Sequence, residues 1–274
     1  MQDFKIATCQ MDVCENKDEN IEHAIQLIKK ASANDAKLIT LPEIFNGPYD
    51  TAKFIEFAED ENDSQTLQAM SKTAKKHDIY LQAGSIAERC DDKIYNTAYL
   101  FNPDGEIIAK HRKMHLFDIN TKTMKFTESD TLTAGDKITT VDTDLGVISI
   151  AICYDVRFPQ LWTLMSQNKS DIILLPAAFN MTTGPLHWQT LIRTRAIDTQ
   201  AYVVATSPSR IDNPYYVAWG HSMIVDPWGK ILSEAETKEE ILYADIENNK
   251  IDDVREQIPV LKNKRNDIYE TIMK

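Results

Sequence analysis

Strand-like and helix-like patterns of apolar residues alternate along the first third of the chain. Phe4–Gln10 has the pattern of a short strand, and Asn20–Ala33 has apolar residues at the spacing of an amphipathic helix. The elements predicted after these are a strand over Lys37–Pro42, a helix over Thr66–His77, a strand over Ile79–Ile86, and a hairpin of Asn96–Phe101 and Glu106–Lys110 through the turn Asn102–Gly105. This order of elements predicts an α/β protein.

The second half of the chain repeats the first. The matching segments are Leu41–Asn46 with Leu175–Asn180, Tyr80–Ser85 with Tyr202–Ser207, and the turn Asn102–Gly105 with Asp226–Gly229. Two copies of one strand–helix–strand–helix–hairpin unit predict two sheets packed face to face with the helices outside. We therefore expect a four-layer αββα sandwich of two mixed sheets with an internal pseudo-two-fold repeat, built as a single domain over residues 1–274.

Two segments fall outside the repeat. Arg112–Asp136 is irregular and polar, yet it has apolar anchors such as Met114 and Phe117, which favours a functional loop over a disordered one. The last segment, about residues 245–274, is polar and helix-like around Ile251–Arg255. It is predicted either to wrap a partner subunit or to form a solvated tail.

A cysteine follows the most apolar strand of the second half. Val147–Ile152 has the pattern of a strand buried on both faces, and Cys153 comes directly after it. Ligands collect at the carboxyl ends of strands in α/β proteins, and Arg157 with a helix starting near Pro159 would lower the pKa of this thiol. By these residues alone Cys153 is either a nucleophile or a small hydrophobic residue that ends a core strand.

Glu43 ends a strand in the first copy, where the second copy has Ala177. Because strands of both copies meet at one crevice, we expect Glu43 to face Cys153 as a general base, although many loop glutamates are merely solvated. Attack on a carbonyl carbon also needs donors for the developing negative charge. The candidates are the main-chain N–H of Tyr154 and the ammonium of Lys113, whose alternative is an exposed basic patch.

The charge and the cysteine content restrict the partners. The 274 residues include 30 basic and 42 acidic ones, for a net charge of −12, and this acidity argues against nucleic acid and anionic membranes. The N-terminus has no signal-peptide profile, and no apolar run approaches the length of a membrane span. Four scattered cysteines indicate a reducing cytoplasm, with Cys9 and Cys14 interpreted as packing residues.

Three segments together resemble the signatures of the nitrilase superfamily, the carbon–nitrogen hydrolases with a Glu–Lys–Cys triad. They are Leu41–Glu43, His111–Leu116 and Ile152–Pro159. The resemblance implies that Glu43 is the general base, Lys113 stabilises the tetrahedral intermediate and Cys153 forms the thioester. It also implies that Glu128 holds the lysine and orients the substrate, and that neither a metal nor an organic cofactor is required.

Within the superfamily the likeness is greatest to its ω-amidase branch. The segments that carry this likeness are Phe45–Tyr49, Lys113–Ile119, Ala178–Trp188, Val217–Ser222 and Gln257–Val260. The branch hydrolyses the ω-amide of small 2-oxo dicarboxylate monoamides, so a cation and hydroxyls are needed beyond the thiol. The expected substrate-binding residues are Tyr49, Tyr154, Arg157, Thr182 and Thr183, and we also expect a homodimer or a higher homo-oligomer.

Alternatives remain open at this stage. Arg157 can instead brace the nucleophile turn through a carboxylate, and Gln160 replaces an acidic residue common in the superfamily. The other activities considered are an N-carbamoyl amidase or aliphatic amidase of the same superfamily, a non-catalytic binding module of the same fold, and a cysteine–histidine hydrolase that uses His111, His115, His187 or His221 as its base.

Overall fold

Two mixed sheets form the centre of the computed structural model, which describes residues 3–121, 125–212 and 216–274. The first sheet has the order β15-β1-β2-β4-β5-β6, and the two-residue strand β3 adds to β4. Its strands are β1 (Phe4–Gln10), β2 (Ala36–Thr40), β3 (Glu59–Asp60), β4 (Tyr80–Cys90), β5 (Lys93–Phe101), β6 (Ile107–Arg112) and β15 (Glu240–Ile246). β1, β2 and β4 are parallel, whereas β15, β5 and β6 pair in an antiparallel manner.

The second sheet has the order β14-β13-β12-β11-β10-β9. Its strands are β9 (Thr139–Thr143), β10 (Gly146–Ile150), β11 (Ile172–Pro176), β12 (Tyr202–Thr206), β13 (Met223–Val225) and β14 (Ile231–Glu234). Three parallel central strands again lie between an antiparallel hairpin and one antiparallel edge strand. Strand for strand this is the arrangement of the first sheet, and the predicted repeat is confirmed.

Helices cover the outer face of each sheet. Their bounds are α1 (Lys17–Ser32), α2 (Thr51–Phe57), α3 (Gln65–His77), α4 (Pro159–Gln167), α5 (Gly184–Thr199), α6 (Asn248–Gln257) and α7 (Val260–Asn263). α1 and α3 bury their apolar residues against the first sheet, and α5 contacts β12 and β13 of the second. The predicted αββα sandwich is therefore confirmed.

The largest apolar cluster lies between the two sheets and continues under α4 and α5. It joins Ile6 and Leu38 of the first sheet to Ile150 and Val204 of the second, all of them fully buried. A small polar cluster crosses the same interface, where the hydroxyl of Thr206 lies 2.5 Å from that of Thr8 and 2.7 Å from that of Thr40. The two halves thus share one core.

The structure adds elements that the apolar pattern did not predict. β9 and β15 are edge strands with mixed exposure, so neither has the alternation or the apolar run that identifies a strand. The loop Arg112–Asp136 contains a small hairpin of β7 (Asp118–Asn120) and β8 (Lys125–Thr127), while its residues 122–124 lie outside the described part of the chain.

The terminal segments complete the description. The helix expected around Ile251–Arg255 is α6, and the chain beyond α7 has no regular secondary structure. Among the described residues, no helix combines the length and the apolar character that crossing a membrane would require.

Candidate active site

Cys153 lies in a tight turn directly after the second sheet's strand β10. Its side chain is 4% exposed, and its backbone has φ of +43° in the left-handed region, which a non-glycine residue adopts only when its surroundings hold it there. A short 3₁₀ helix, Cys153–Arg157, starts at this residue. The first N–H groups of a helix have no intrahelical partner, so the N–H of Tyr154, the residue after Cys153, is a candidate oxyanion donor.

The carboxylate of Asp155 holds this turn. It is fully buried and accepts hydrogen bonds from the N–H of Ile152 at 3.0 Å, from the His115 ring at 2.7 Å and from the His111 ring at 3.2 Å. Burial would raise the pKa of Asp155, but the hydrogen bonds from His111 and His115 outweigh it and lower that pKa. Sequence reasoning missed Asp155, although its position two residues after the cysteine was the available signal.

Glu43 lies beyond β2 in a turn that packs on β4. Gly84 makes this packing possible, because it has φ of +49° and a Cβ there would lie 2.0 Å from the carbonyl oxygen of Pro42. The next residue, Ser85, accepts the N–H of Ile44 on its hydroxyl at 3.0 Å. These contacts point a carboxylate that is 1% exposed into the crevice between the sheets.

The thiol of Cys153 and the carboxylate of Glu43 lie close enough together for each to shift the pKa of the other. The N–H of Ala178 donates to Glu43 Oε2 at 2.8 Å. Burial, reinforced by the charge of Glu43, raises the pKa of Cys153 well above its usual value. Burial also raises the pKa of Glu43, although Lys113 opposes this. The pair is therefore a neutral thiol beside a carboxylate that accepts protons more readily than usual.

Lys113 is fully buried between two carboxylates. Its Nζ lies 2.9 Å from Glu43 Oε1 and 2.9 Å from Glu128 Oε1. Burial alone would lower the pKa of Lys113, but the charges of Glu128 and Glu43 outweigh it and raise that pKa. The side chain is therefore held as a cation in the crevice, and the structure places Glu43 and Glu128 in direct contact with it.

Glu128 is fully buried at the start of a short 3₁₀ helix after β8. Its Oε2 accepts the N–H of Phe117 at 2.7 Å, and its Oε1 accepts the hydroxyl of Tyr49 at 2.6 Å as well as the Lys113 ammonium. The irregular loop thus returns to the crevice to supply a second carboxylate, which periodicity could not indicate.

Tyr49 has its hydroxyl committed to these charged groups, because the single O–H proton is donated to Glu128. Its ring stacks on Phe126 at 5.6 Å and contacts Tyr216 at 4.7 Å. A narrow cleft of about 30 Å³ opens beside Glu43, and its lining residues are Val13, Glu43, Ile44, Gly47, Pro48, Tyr49, Ala178, Pro208, Ser209, Ile211, Tyr216 and Ala218. Tyr49 therefore presents an aromatic face to this cleft.

Comparison with known proteins identifies the arrangement. The model of the family described as "Carbon-nitrogen hydrolase" matches residues 5–256. This chain belongs to the carbon–nitrogen hydrolase family. It is 45% identical to the mouse protein named omega-amidase NIT2 over 98% of both chains, and 44% identical to the human protein of that name over 100% of this chain and 99% of the other.

Solved structures of the family have the same fold. Nit3 of Saccharomyces cerevisiae, described as a member of branch 10 of the nitrilase superfamily, matches with a TM-score of 0.89 at 41% identity, covering 96% of this chain and 97% of that one. The NitFhit protein of C. elegans matches with a TM-score of 0.92 at 31% identity, covering 100% of this chain and 68% of that one. The two-sheet sandwich described above is thus the carbon–nitrogen hydrolase fold.

In this carbon–nitrogen hydrolase Arg157 is the last residue of the short 3₁₀ helix that starts at Cys153. Its guanidinium lies 5.1 Å from the ring centre of Phe179 and 5.8 Å from that of Tyr154, and its Nη1 lies 3.2 Å from His187 Nδ1. No carboxylate among residues 3–121, 125–212 and 216–274 lies within ion-pair distance of it. The bracing carboxylate considered for Arg157 is thus absent from the described residues, and Asp155 holds the turn instead.

The two predicted threonines lie at the start of α5. Thr183 donates its hydroxyl to Asn180 Oδ1 at 3.0 Å, and the N–H of Thr182 bonds the same oxygen at 3.0 Å. Thr182 is exposed and Thr183 half-buried. Neither they nor Arg157 line the cleft beside Glu43.

The four histidines considered as alternative bases have other contacts. His111 and His115 bond Asp155, His187 contacts Arg157, and the ring of His221 stacks on Trp219 at 4.5 Å. Among the described residues, the charged groups that shift the pKa of the Cys153 thiol most are Glu43 and Lys113, and no histidine is one of them. In the same part of the chain, no three His, Cys, Asp or Glu side chains converge where they could hold a metal ion.

Proposed function

We propose that this chain is a cysteine-dependent ω-amidase that hydrolyses the amide of small 2-oxo dicarboxylate monoamides, such as 2-oxoglutaramate and 2-oxosuccinamate. The observation that carries the proposal is the buried Cys153 thiol beside the Glu43 carboxylate, with the Lys113 ammonium 2.9 Å from the same carboxylate. The choice among amides is supported by full-length relatives named omega-amidase at 44–45% identity.

The acylation step starts from a neutral Cys153 thiol and an ionised Glu43 carboxylate. Cys153 attacks the amide carbonyl carbon while its proton passes to Glu43, which the raised pKa of that carboxyl favours. The carbonyl oxygen becomes an oxyanion, stabilised by the Lys113 ammonium and the N–H of Tyr154. The intermediate collapses by breaking its C–N bond, and the leaving amine takes the proton from Glu43. Ammonia departs, and a thioester remains on Cys153.

Deacylation uses the same groups. Glu43 removes a proton from a water molecule that attacks the thioester, and Lys113 again stabilises the oxyanion. The C–S bond breaks, Cys153 recovers its proton from Glu43, and the dicarboxylate is released. Glu128 takes no proton in this scheme: it neutralises the buried Lys113 and fixes its position.

Arg157 supplies the charge that a distal carboxylate requires. It is half-buried, has no carboxylate partner among the described residues, and follows the nucleophile by one helical turn. Desolvated guanidinium–carboxylate pairs are strong and directional. Thr183, at the start of the neighbouring helix, can add a hydroxyl contact to the same group.

The test compares purified protein acting on 2-oxosuccinamate, on an N-carbamoyl amino acid and on a neutral aliphatic amide, with ammonia release as the measurement. Release from 2-oxosuccinamate and its loss in Cys153→Ala are expected. Arg157→Met is expected to raise KM for 2-oxosuccinamate at least tenfold and to leave the neutral amide unaffected. Hydrolysis of the N-carbamoyl compound alone would refute the ω-amidase assignment, and a Glu43→Gln variant with full activity would favour a histidine base.

We further propose a homodimer or a higher homo-oligomer in the cytoplasm. Large apolar side chains are exposed on α5 and near α7, including Leu186 at 71%, Ile197 at 50% and Ile258 at 49%, as expected for a surface that a second copy covers. The exposed tail after residue 264 then has a partner to wrap. Light scattering of the full chain tests this, since a monomer at micromolar concentration would exclude it.

A further inference from the structure

Three buried amide side chains have a carbonyl oxygen without a hydrogen-bond partner among the described residues. They are Asn46, Gln82 and Asn96. Asn46 donates its N–H groups to Glu59 and Thr66, and Gln82 donates to the carbonyl of Gly84. Asn96 differs from both because its N–H group donates to a carboxylate of the proposed triad.

Asn96 touches two of the triad residues at once. It lies on β5 and is fully buried. Its Nδ2 donates to Glu43 Oε1 at 2.8 Å, and its main-chain carbonyl accepts the N–H of Lys113 at 2.8 Å. One residue therefore sets the position of the Glu43 carboxylate relative to the strand end that carries Lys113.

The orientation of the Asn96 amide follows from the carboxylate. An ionised carboxylate only accepts, so the NH₂ group must face Glu43, and the Oδ1 atom is left buried without a partner. A buried acceptor without a partner destabilises the fold, and an apolar side chain of equal size would avoid that cost. The amide is therefore explained by what its N–H does for Glu43.

The two carboxylate oxygens of Glu43 have different hydrogen-bond partners. Oε1 accepts hydrogen bonds from Asn96 and Lys113, whereas Oε2 accepts the N–H of Ala178. Oε2 thus retains a lone pair for the thiol proton. The Asn96 amide is a neutral donor to Oε1. It stabilises the ionised form of Glu43 and adds no further charge to the group formed by Glu43, Glu128 and Lys113.

We propose that Asn96 is a positioning residue for the amidase reaction, which holds Glu43 ionised and directs the Oε2 atom of that carboxylate to Cys153. The inference rests on the proposed function, since it takes Glu43 to be the base. Without the Asn96 donor, Glu43 binds its proton more tightly. As the pH is lowered, Glu43 is then protonated, and can no longer act as the base for the thiol, at a higher pH than in the wild type.

The experiment uses Asn96→Leu and, as its matched control, Gln82→Met. Both changes replace a fully buried amide that has an unpartnered oxygen by an apolar side chain of similar size, but only the first removes a donor to Glu43. The rate of Cys153 alkylation by iodoacetamide, followed by mass spectrometry of its peptide, is measured against pH. This readout needs no substrate, so it separates a failure of the inference from a wrong choice of amide.

We expect the acid limb of the alkylation profile, and of kcat/KM where the amide is turned over, to move upward by about one to two pH units in Asn96→Leu. Gln82→Met should keep the wild-type limb. Two results would overturn the proposal: an unshifted limb in Asn96→Leu with rates lowered equally at every pH, or an equal shift in Gln82→Met. If Asn96→Leu does not fold, Asn96→Ala replaces it under the same criteria.

Discussion

Asp155 accepts the N–H of Ile152 at 3.0 Å, across the turn in which Cys153 is held at φ of +43°. The same carboxylate bonds His111 and His115, which flank Lys113 by two residues on either side. One buried charge thus ties the strand end that carries the lysine to the turn that carries the thiol. The relative position of these two groups depends on this carboxylate as well as on the sheets.

Asp155→Asn should therefore impair both stability and activity. An amide cannot accept all four of the donors that now converge on this carboxylate, so at least one buried donor is left unpaired. We expect the free energy of unfolding to fall by about 2–4 kcal/mol. Urea denaturation measures it, and an unchanged midpoint would show that the turn is held by other contacts.

Acid should unfold the protein partly through the same residue. Because the pKa of Asp155 is lower in the folded chain than its usual 3.8, its contribution to stability is fully present above about pH 4 and is lost as the pH falls towards the lower folded value. The pKa of Glu43 is raised in the folded chain instead. Its contribution to stability is therefore present below the usual value of 4.5 and is lost as the pH rises above that value.

The wild type should consequently lose stability more steeply below about pH 4 than Asp155→Asn does. Urea midpoints measured at several pH values between about 2 and 5 give the two slopes. Parallel curves for the two proteins would contradict the assignment of this acid sensitivity to Asp155.

Glu128→Gln should reduce turnover more than binding. The change removes one of the two carboxylates that neutralise Lys113, which lowers the pKa of that buried lysine and loosens its position. We expect kcat to fall by about tenfold or more, with a smaller change in KM. Glu247→Gln, which breaks a partly exposed ion pair with Lys250, is the matched control and should retain wild-type kcat.

Tyr49→Phe tests the hydroxyl separately from the ring. The variant keeps the aromatic face on the cleft but removes the 2.6 Å hydrogen bond to Glu128. We expect kcat to fall about tenfold while KM changes little, since one charge-assisted hydrogen bond is lost. Tyr99→Phe, at a buried tyrosine that bonds Glu61, provides the comparison. A larger effect on KM than on kcat would instead place the Tyr49 hydroxyl on the substrate.

The sequence alone determined the regular part of this protein. The alternation of buried apolar runs and amphipathic helices, repeated twice, specifies the αββα sandwich, because each such pattern has one stable way to bury its apolar face. Strand ends and the repeat drew attention to Glu43 and Cys153, whereas Lys113 was assigned through the resemblance to the family. The edge strands β9 and β15 could not, since a half-exposed edge has little apolar periodicity.

Only the tertiary structure decided how the site is held. Asp155 and Asn96 are ordinary polar residues in the sequence, and Tyr49 was expected to bind substrate through its hydroxyl. Their roles depend on hydrogen bonds between residues tens of positions apart, such as Asn96 with Glu43 and Tyr49 with Glu128. The packing of the two sheets determines which of these polar groups lie within hydrogen-bond distance of each other. A buried polar group then forms its hydrogen bonds with those neighbours.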